Sequence, residues 1–258
     1  MNSISKTSAD GLSSSLVVDF KEFSAKTTLF AALSAAYPDR SLHRIDAVAA
    51  VSSFGTVLGD VAARCVDQLM EEDCAPVVIF GYCSAAGLAL HIAAGLEGRG
   101  LRRPPVILVE PSWLTPDLVR RDVDALAGAD PGTYQGPLEL GSIIPELRGP
   151  LERKLRDEGV EAADIELCVD IMAERLRAWF TFLATAEAAD VPADVVPVGV
   201  ILADDGVRFP HPTWPQASVR IEYLAGRSGE LLGQPGTTEA LDGLWQRALE
   251  RPAGAAIH

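Results

Sequence analysis

Short apolar runs alternate with amphipathic stretches along most of the chain. Leu16-Val17-Val18-Asp19-Phe20 is a compact apolar run of strand type. Lys26 to Tyr37 has helical spacing, with Leu29, Leu33 and Ala36 on one face, and Pro38 ends it. His43 to Val48 reads as a second strand. Phe54 to Met70 carries Val57, Leu58, Val61, Ala62, Cys65 and Leu69 on one stripe, which predicts an amphipathic helix. Pro76-Val77-Val78-Ile79-Phe80 is apolar throughout, as in strands buried on both faces of a parallel sheet. A helix follows from Ser84 to Glu97, closed by Gly98, and Val106-Ile107-Leu108-Val109 is the next strand. This alternation predicts an α/β fold with a mostly parallel sheet.

Pro111 to Asp194 interrupts the rhythm with Gly- and Pro-rich turns and helical patches at residues 151–158 and 163–186. It is expected to form a helical lid insertion, about 112–194, within a single domain of 16–251. Strands are expected again at Val195 to Leu202 and Val219 to Leu224. A closing helix is expected from Thr238 to Glu250, capped by Thr237 or Thr238. Residues 1–15 read as a disordered lead-in and 252–258 as a tail.

Composition narrows the function. The 258 residues are 48% hydrophobic and 22% charged, enough for a substantial core. The net charge of −14 disfavours nucleic acid or an anionic membrane surface as partner. The four cysteines, Cys65, Cys74, Cys83 and Cys168, form no CxxC pair and have no histidine at zinc-ligand spacing, so no metal site is expected. So few cysteines in so large a domain fit a reducing compartment. Residues 1–15 are polar and Ser-rich, without the apolar core of a signal peptide, and no run of about 18 apolar residues occurs. A cytoplasmic location follows as an expectation.

Candidate chemistry lies in Val77-Val78-Ile79-Phe80-Gly81-Tyr82-Cys83-Ser84-Ala85-Ala86-Gly87. A buried strand runs into small-x-nucleophile-x-small and then a helix, which is a nucleophile elbow with Cys in the place of Ser. Gly81 and Ala85 are small where the turn is tight. The Ser84 backbone N–H would face a developing oxyanion. A thiol at a helix N-terminus is also favoured as thiolate. Cys is equally at home as a small core residue, so the pattern alone leaves that option open.

The stretch Leu42 to Pro111 resembles the thioesterase branch of the α/β hydrolases, which acts on acyl chains carried by polyketide and nonribosomal peptide synthetases. The likeness rests on the Phe54–Met70 helix, the elbow Gly81-Tyr82-Cys83-Ser84-Ala85, the segment Leu96-Glu97-Gly98-Arg99-Gly100, and the strand ending at Glu110. Cys in place of Ser is similar to the cysteine members of that branch, including Dieckmann cyclases. The resemblance implies a three-layer α/β-hydrolase sandwich with Cys83 as nucleophile and Glu110 as the acidic partner. Phe20 or Lys21 would supply the second oxyanion amide, beside that of Ser84. It further implies an acyl thioester on an acyl or peptidyl carrier protein as substrate, with phosphopantetheine arriving on that substrate and no bound cofactor.

The pattern departs from the family in two places. Ser228, in Leu224-Ala225-Gly226-Arg227-Ser228-Gly229, stands where the family has its histidine. Ser228 itself, Asp205 with Asp204, and His211 are the possible substitutes for acid or base, although acidic turns and loop histidines are often only solvated. His91 lies two helical turns beyond Cys83, too far for a direct hydrogen bond. His43 reads as structural and His258 as terminal. The first core strand also lacks the Gly-rich turn usual for the oxyanion loop. Trp113, Trp179, Phe180 and Phe182 either line an acyl pocket or pack within the insertion. The favoured function is thioesterase-like acyl transfer with release by hydrolysis or intramolecular cyclisation. The alternatives are a catalytically degenerate binding or accessory protein and a small-molecule esterase.

Overall fold

A computed structural model describes residues 4–7, 14–21, 27–127, 132, 140–205, 214 and 218–250. Two compact units divide the chain, one of residues 1–113 and 189–258, the other of Leu114–Ala188.

The first unit is built on one sheet. Its strands among the described residues are β1 (Ile4–Thr7), β2 (Ser15–Asp19), β3 (Leu42–Asp46), β4 (Val78–Tyr82), β5 (Val106–Val109), β6 (Gly199–Ala203) and β7 (Arg220–Leu224). They lie in the order β1-β3-β2-β4-β5-β6-β7. All neighbours pair in parallel except β1, which runs antiparallel to β3 with Ile4 opposite Ile45 and Thr7 opposite Leu42. The helices of this unit are α1 (Leu29–Ala36), α2 (Ala47–Phe54), α3 (Leu58–Glu71), α4 (Ala86–Gly98) and the closing helix Pro235–Glu250.

Helices cover both faces of the sheet. Phe80 of β4 meets Trp245 of the closing helix edge-on at 4.9 Å, while a Cβ on the next residue, Gly81, would lie 2.9 Å from the Ala89 Cβ of α4. Adjacent strand residues point to opposite faces, so the two helices lie on opposite sides. Helix α3 packs on α4, and Tyr37, the residue after α1, meets Trp245 at 4.9 Å. The result is the expected three-layer α/β sandwich.

Several boundaries differ from the sequence-based expectation. The lead-in over residues 1–15 contains the edge strand Ile4–Thr7, and Ser15 already belongs to β2. An edge strand needs only the open backbone edge of β3, so its polar sequence gives no apolar signal. The strand expected over His43–Val48 stops at Asp46, whose Oδ1 accepts the Val48 and Ala49 N–H groups at 3.1 and 3.2 Å and so caps α2. The helix expected from Phe54 starts at Leu58, after a break at Gly55. The closing helix begins at Pro235 rather than at Thr238, proline being well suited to a first helical position. Thr237 instead donates its hydroxyl to the Leu231 carbonyl at 2.6 Å.

The second unit falls between β5 and β6, inside the insertion expected over 112–194. It comprises α5 (Pro116–Ala127), α6 (Leu140–Asp157) and α7 (Ala162–Glu187), which makes the closing helix α8. Helices α6 and α7 pack on each other and are joined by an ion pair from Arg148 to Asp170 at 2.7 Å. Gly159, with φ +81, lets the chain turn at the end of α6 while the Val160 N–H returns to the Leu155 carbonyl at 3.0 Å. Phe180 and Phe182 are fully buried, as packing residues are. Among the described residues no single helix is long and apolar enough to cross a membrane; α2 and α3 meet that test only as a pair, bent by 100°.

Candidate active site

The site forms at the carboxyl ends of β2, β4, β5 and β6. In the register of the sheet Tyr82 faces Val109, so Cys83 and Glu110, each one residue further on, leave neighbouring strands side by side. Such strands lie about 4.8 Å apart. Both residues adopt left-handed backbone, Cys83 at φ +50 and Glu110 at φ +46. That conformation is uncommon for side chains with a Cβ and is tolerated where surrounding structure imposes it. At Cys83 the cause is visible. The strand turns at once into a short 3-10 turn, Cys83–Ala85, and then into α4, which crosses so close that a Cβ on Gly81 would also lie 3.2 Å from the Ala86 Cα, with the Leu108 side chain of β5 at 2.9 Å. This is the elbow geometry that the sequence predicted, and the thiol is partly accessible rather than sealed in the core.

Glu110 is 7% exposed, and its own N–H donates to the Ile201 carbonyl of β6 at 2.8 Å. Two donors converge on one carboxyl oxygen, Oε1: the Ser228 hydroxyl at 3.0 Å and the Gly229 N–H at 2.8 Å. The second oxygen, Oε2, is buried without a hydrogen-bond partner. Burial raises the Glu110 pKa, the two donors lower it less, and Asp205 adds a further upward push. Tyr82, buried beside them, has a phenol shifted upward by burial and then by the nearby Cys83 and Glu110.

Ser228 reaches Glu110 from β7, two strands away, because the β6 turn holds its loop. Asp204 Oδ1 accepts the Gly226 N–H at 3.2 Å, and Asp205 Oδ1 accepts the Ser228 N–H at 3.0 Å. Asp205, expected as a possible acid, thus acts on the backbone that carries Ser228. Ser228 and Gly229 are themselves exposed. Tyr82, Cys83, Glu110, Ser112, Ser228 and Gly229 line a shared cavity of about 140 Å³. That volume admits a reacting group, well short of the 300 Å³ or more of a typical small-molecule pocket.

The two expected oxyanion residues do not line this cavity but lie next to Cys83, Ser84 along the chain and Phe20 across the sheet. Ser84 lies in the first turn after the elbow, where amides have no carbonyl four residues back. Val18 pairs with Gly81, so Phe20 leaves β2 level with Cys83. The loop there is fastened on both sides of Phe20. Asp19, 0% exposed, pairs with the Arg44 Nε at 2.7 Å and accepts the Phe30 N–H at 2.9 Å, while the Lys21 N–H donates to Asp46 Oδ2 at 3.2 Å. The Lys21 amide, an alternative oxyanion donor by sequence, is therefore engaged with Asp46. Burial lifts the Asp19 carboxyl to about 6 against the opposing pull of Arg44 and the Phe30 amide.

The histidines lie elsewhere or outside the described residues. His91 Nε2 is 2.8 Å from the Asp190 carbonyl, and burial lowers its pKa. His43 is buried in β3. His211 and His258 fall outside the described residues. Of the aromatic residues suspected of lining an acyl pocket, Trp113 meets Trp214 edge-on at 5.4 Å, and Trp179 stacks near Phe182 at 5.7 Å. The Gly229 amide and the Asp19–Arg44 pair were missed by sequence reasoning. The first is a backbone group more than a hundred residues from its acceptor, and the second joins two strands by a contact that no local pattern encodes.

Three solved structures illustrate the class that this fold defines. The NocB thioesterase domain, in covalent complex with a fluorophosphonate nocardicin G analog, is similar at 20% identity and TM-score 0.57, over 96% of this chain and 100% of that one. SrfTE, the thioesterase domain described in the cyclization of the lipopeptide antibiotic surfactin, is similar at 16% identity and TM-score 0.53, over 97% and 96%. The RedJ thioesterase from the prodiginine biosynthetic pathway of Streptomyces coelicolor is similar at 16% identity and TM-score 0.50, over 92% and 86%. No family model matches the chain, and no curated protein matches it in sequence. The chain has the α/β-hydrolase fold, which these thioesterase domains share.

Proposed function

We propose that this chain accepts an acyl group from a carrier-protein thioester onto Cys83 and releases it by hydrolysis or by intramolecular, Dieckmann-type cyclisation. The observation that supports this most directly is the left-handed Cys83 at the end of β4, opening onto a small cavity shared with Glu110. A thiol is intrinsically nucleophilic and depends less on a neighbouring base than a hydroxyl does. Glu110 is the polar partner of the site, and the Ser84 and Phe20 amides are the oxyanion donors. The acyl chain arrives on the phosphopantetheine arm of an acyl or peptidyl carrier protein. The thioesterase domains of similar fold come from antibiotic pathways, which favours this substrate class.

Intact-protein mass spectrometry after mixing with an acyl-N-acetylcysteamine thioester tests the reading. One acyl adduct is expected, mapping to Cys83 and missing in Cys83→Ala. An unmodified protein with the thioester left unconsumed after prolonged incubation rejects it. A second reading, an acyl- or carrier-binding protein without turnover, draws on the serine at position 228, which leaves the cavity without a histidine among the described residues. Rapid iodoacetamide labelling of Cys83 near neutral pH, ahead of Cys65, Cys74 and Cys168, favours the enzyme. Labelling no faster than a free thiol favours the binder.

A further inference from the structure

We infer that the acyl group on Cys83 is resolved by an acceptor carrying its own ready nucleophile, an amine or a thiol, and that water is excluded as acceptor. This rests on the acyl-transfer step of the reading above and replaces its release step, since water and a Dieckmann carbon nucleophile both need a base to remove a proton. The argument starts from the protons. Loading needs no resident base: the Cys83 sulfur bonds to the acyl carbon, the carrier C–S bond breaks, and the Cys83 proton ends on the leaving carrier sulfur. One thioester replaces another. Resolution by an amine or thiol balances in the same way. The nitrogen or sulfur lone pair attacks the acyl carbon, the Cys83 C–S bond breaks, and the acceptor proton passes to the Cys83 sulfur.

Water is different, because it is a weak nucleophile until a base removes its proton, and general-base help is worth about 100- to 10,000-fold. Among the described residues, the titratable groups on the cavity are Tyr82, Cys83 and Glu110. Tyr82 is a poor base as a buried phenol whose proton is held more tightly than usual. Glu110 has its Oε1 occupied by the Ser228 hydroxyl and the Gly229 N–H, and its Oε2 sealed from solvent. Ser228 itself spends its hydroxyl proton on that carboxyl group and takes up the position from which a base would reach the cavity. The loop that holds it is fixed by Asp204 and Asp205. Among the described residues the arrangement offers nothing to activate water.

The test uses the whole chain and a simple acyl-N-acetylcysteamine thioester whose acyl group has no internal nucleophile. The decay of acyl-Cys83 is followed by intact mass in buffer alone, then with glycylglycine or glutathione as amine and thiol probes. In buffer the adduct should hydrolyse within about tenfold of the free thioester, the rate left when base catalysis is missing. With one of the probes it should clear saturably, about 100-fold faster than that probe attacks the free thioester. Hydrolysis about 100-fold faster than that of the free thioester overturns the inference while leaving acyl transfer intact. So does an adduct that neither probe clears faster than it attacks the free thioester. Failure to form any adduct, with the thioester left unconsumed, overturns the acyl-transfer reading itself, and this inference with it. His211→Gln should leave the buffer lifetime unchanged; a lengthened lifetime would reveal a base from that segment and overturn the inference.

Discussion

The turn after β4 and the loop after β7 end at the same cavity but are held by different forces. The first is a matter of packing. Gly81 exists because α4 crosses within 2.9 Å of where a Cβ would be, and the strained Cys83 follows from that crossing. The second is a matter of polar contacts. Two aspartates hold its backbone, and Ser228 and Gly229 hold Glu110. Packing resists substitution at every atom, whereas an exposed loop exchanges one side chain for another at little cost. The half of the site around Cys83 is thus built into the core, and the half around Ser228 is carried on replaceable surface residues.

The largest expected effect breaks the first half. Cys83→Ser keeps the elbow but replaces a self-sufficient thiol with a hydroxyl that needs a base, and acylation should fall by about 1,000-fold. Single-turnover acylation measures it; a serine variant within tenfold of the parent would mean that a base is present. Next, Ser228→His restores an imidazole where exposure leaves room and the Glu110 carboxyl can orient it. Hydrolysis of the acyl-enzyme should rise by about 100-fold, read as adduct lifetime in buffer. An unchanged lifetime would show that the β7 loop cannot deliver a base, and the contrast between the halves would lose its chemical meaning.

A smaller effect lies in the packing itself. Gly81→Val forces two methyl groups against Ala89, Leu108 and the α4 backbone, and should lower stability by about 2 kcal/mol in urea denaturation. A neutral substitution would mean that α4 moves aside easily. The smallest effect concerns pH. Glu110 has a raised pKa in the folded state, so the native form binds its proton more tightly than the unfolded chain. Its contribution is fully present below the ordinary glutamate range and is lost as pH rises through the raised value. Glu110→Gln keeps an acceptor for Ser228 and Gly229 but cannot titrate. Its thermal midpoint should therefore decline less than the parent's as pH rises from that range toward neutrality. Parallel pH profiles would contradict the buried-carboxylate account.

The elbow was legible in the sequence because its causes are local. An apolar strand, small residues on either side of the nucleophile and a helix occur within about a dozen positions. Glu110 was singled out through the family resemblance, as the residue that ends the strand after the elbow helix. The edge strand Ile4–Thr7 was not, because its pairing depends on the free edge of β3 and not on its own polarity pattern. Nor was the true role of Asp205, since which backbone amide it holds depends on how far the β7 loop folds back across β6. Ser228 was picked out through the resemblance, as the residue at the family's histidine position after the last strand. Its bond to Glu110 needed the fold, because 118 residues separate the two.

Asp46 closes β3, caps α2 through one carboxyl oxygen and secures the Lys21 amide through the other. A helix start and the segment carrying the Phe20 amide are consequently tethered to a single anion. Removing that carboxylate would release the head of α2 and the Lys21 amide together.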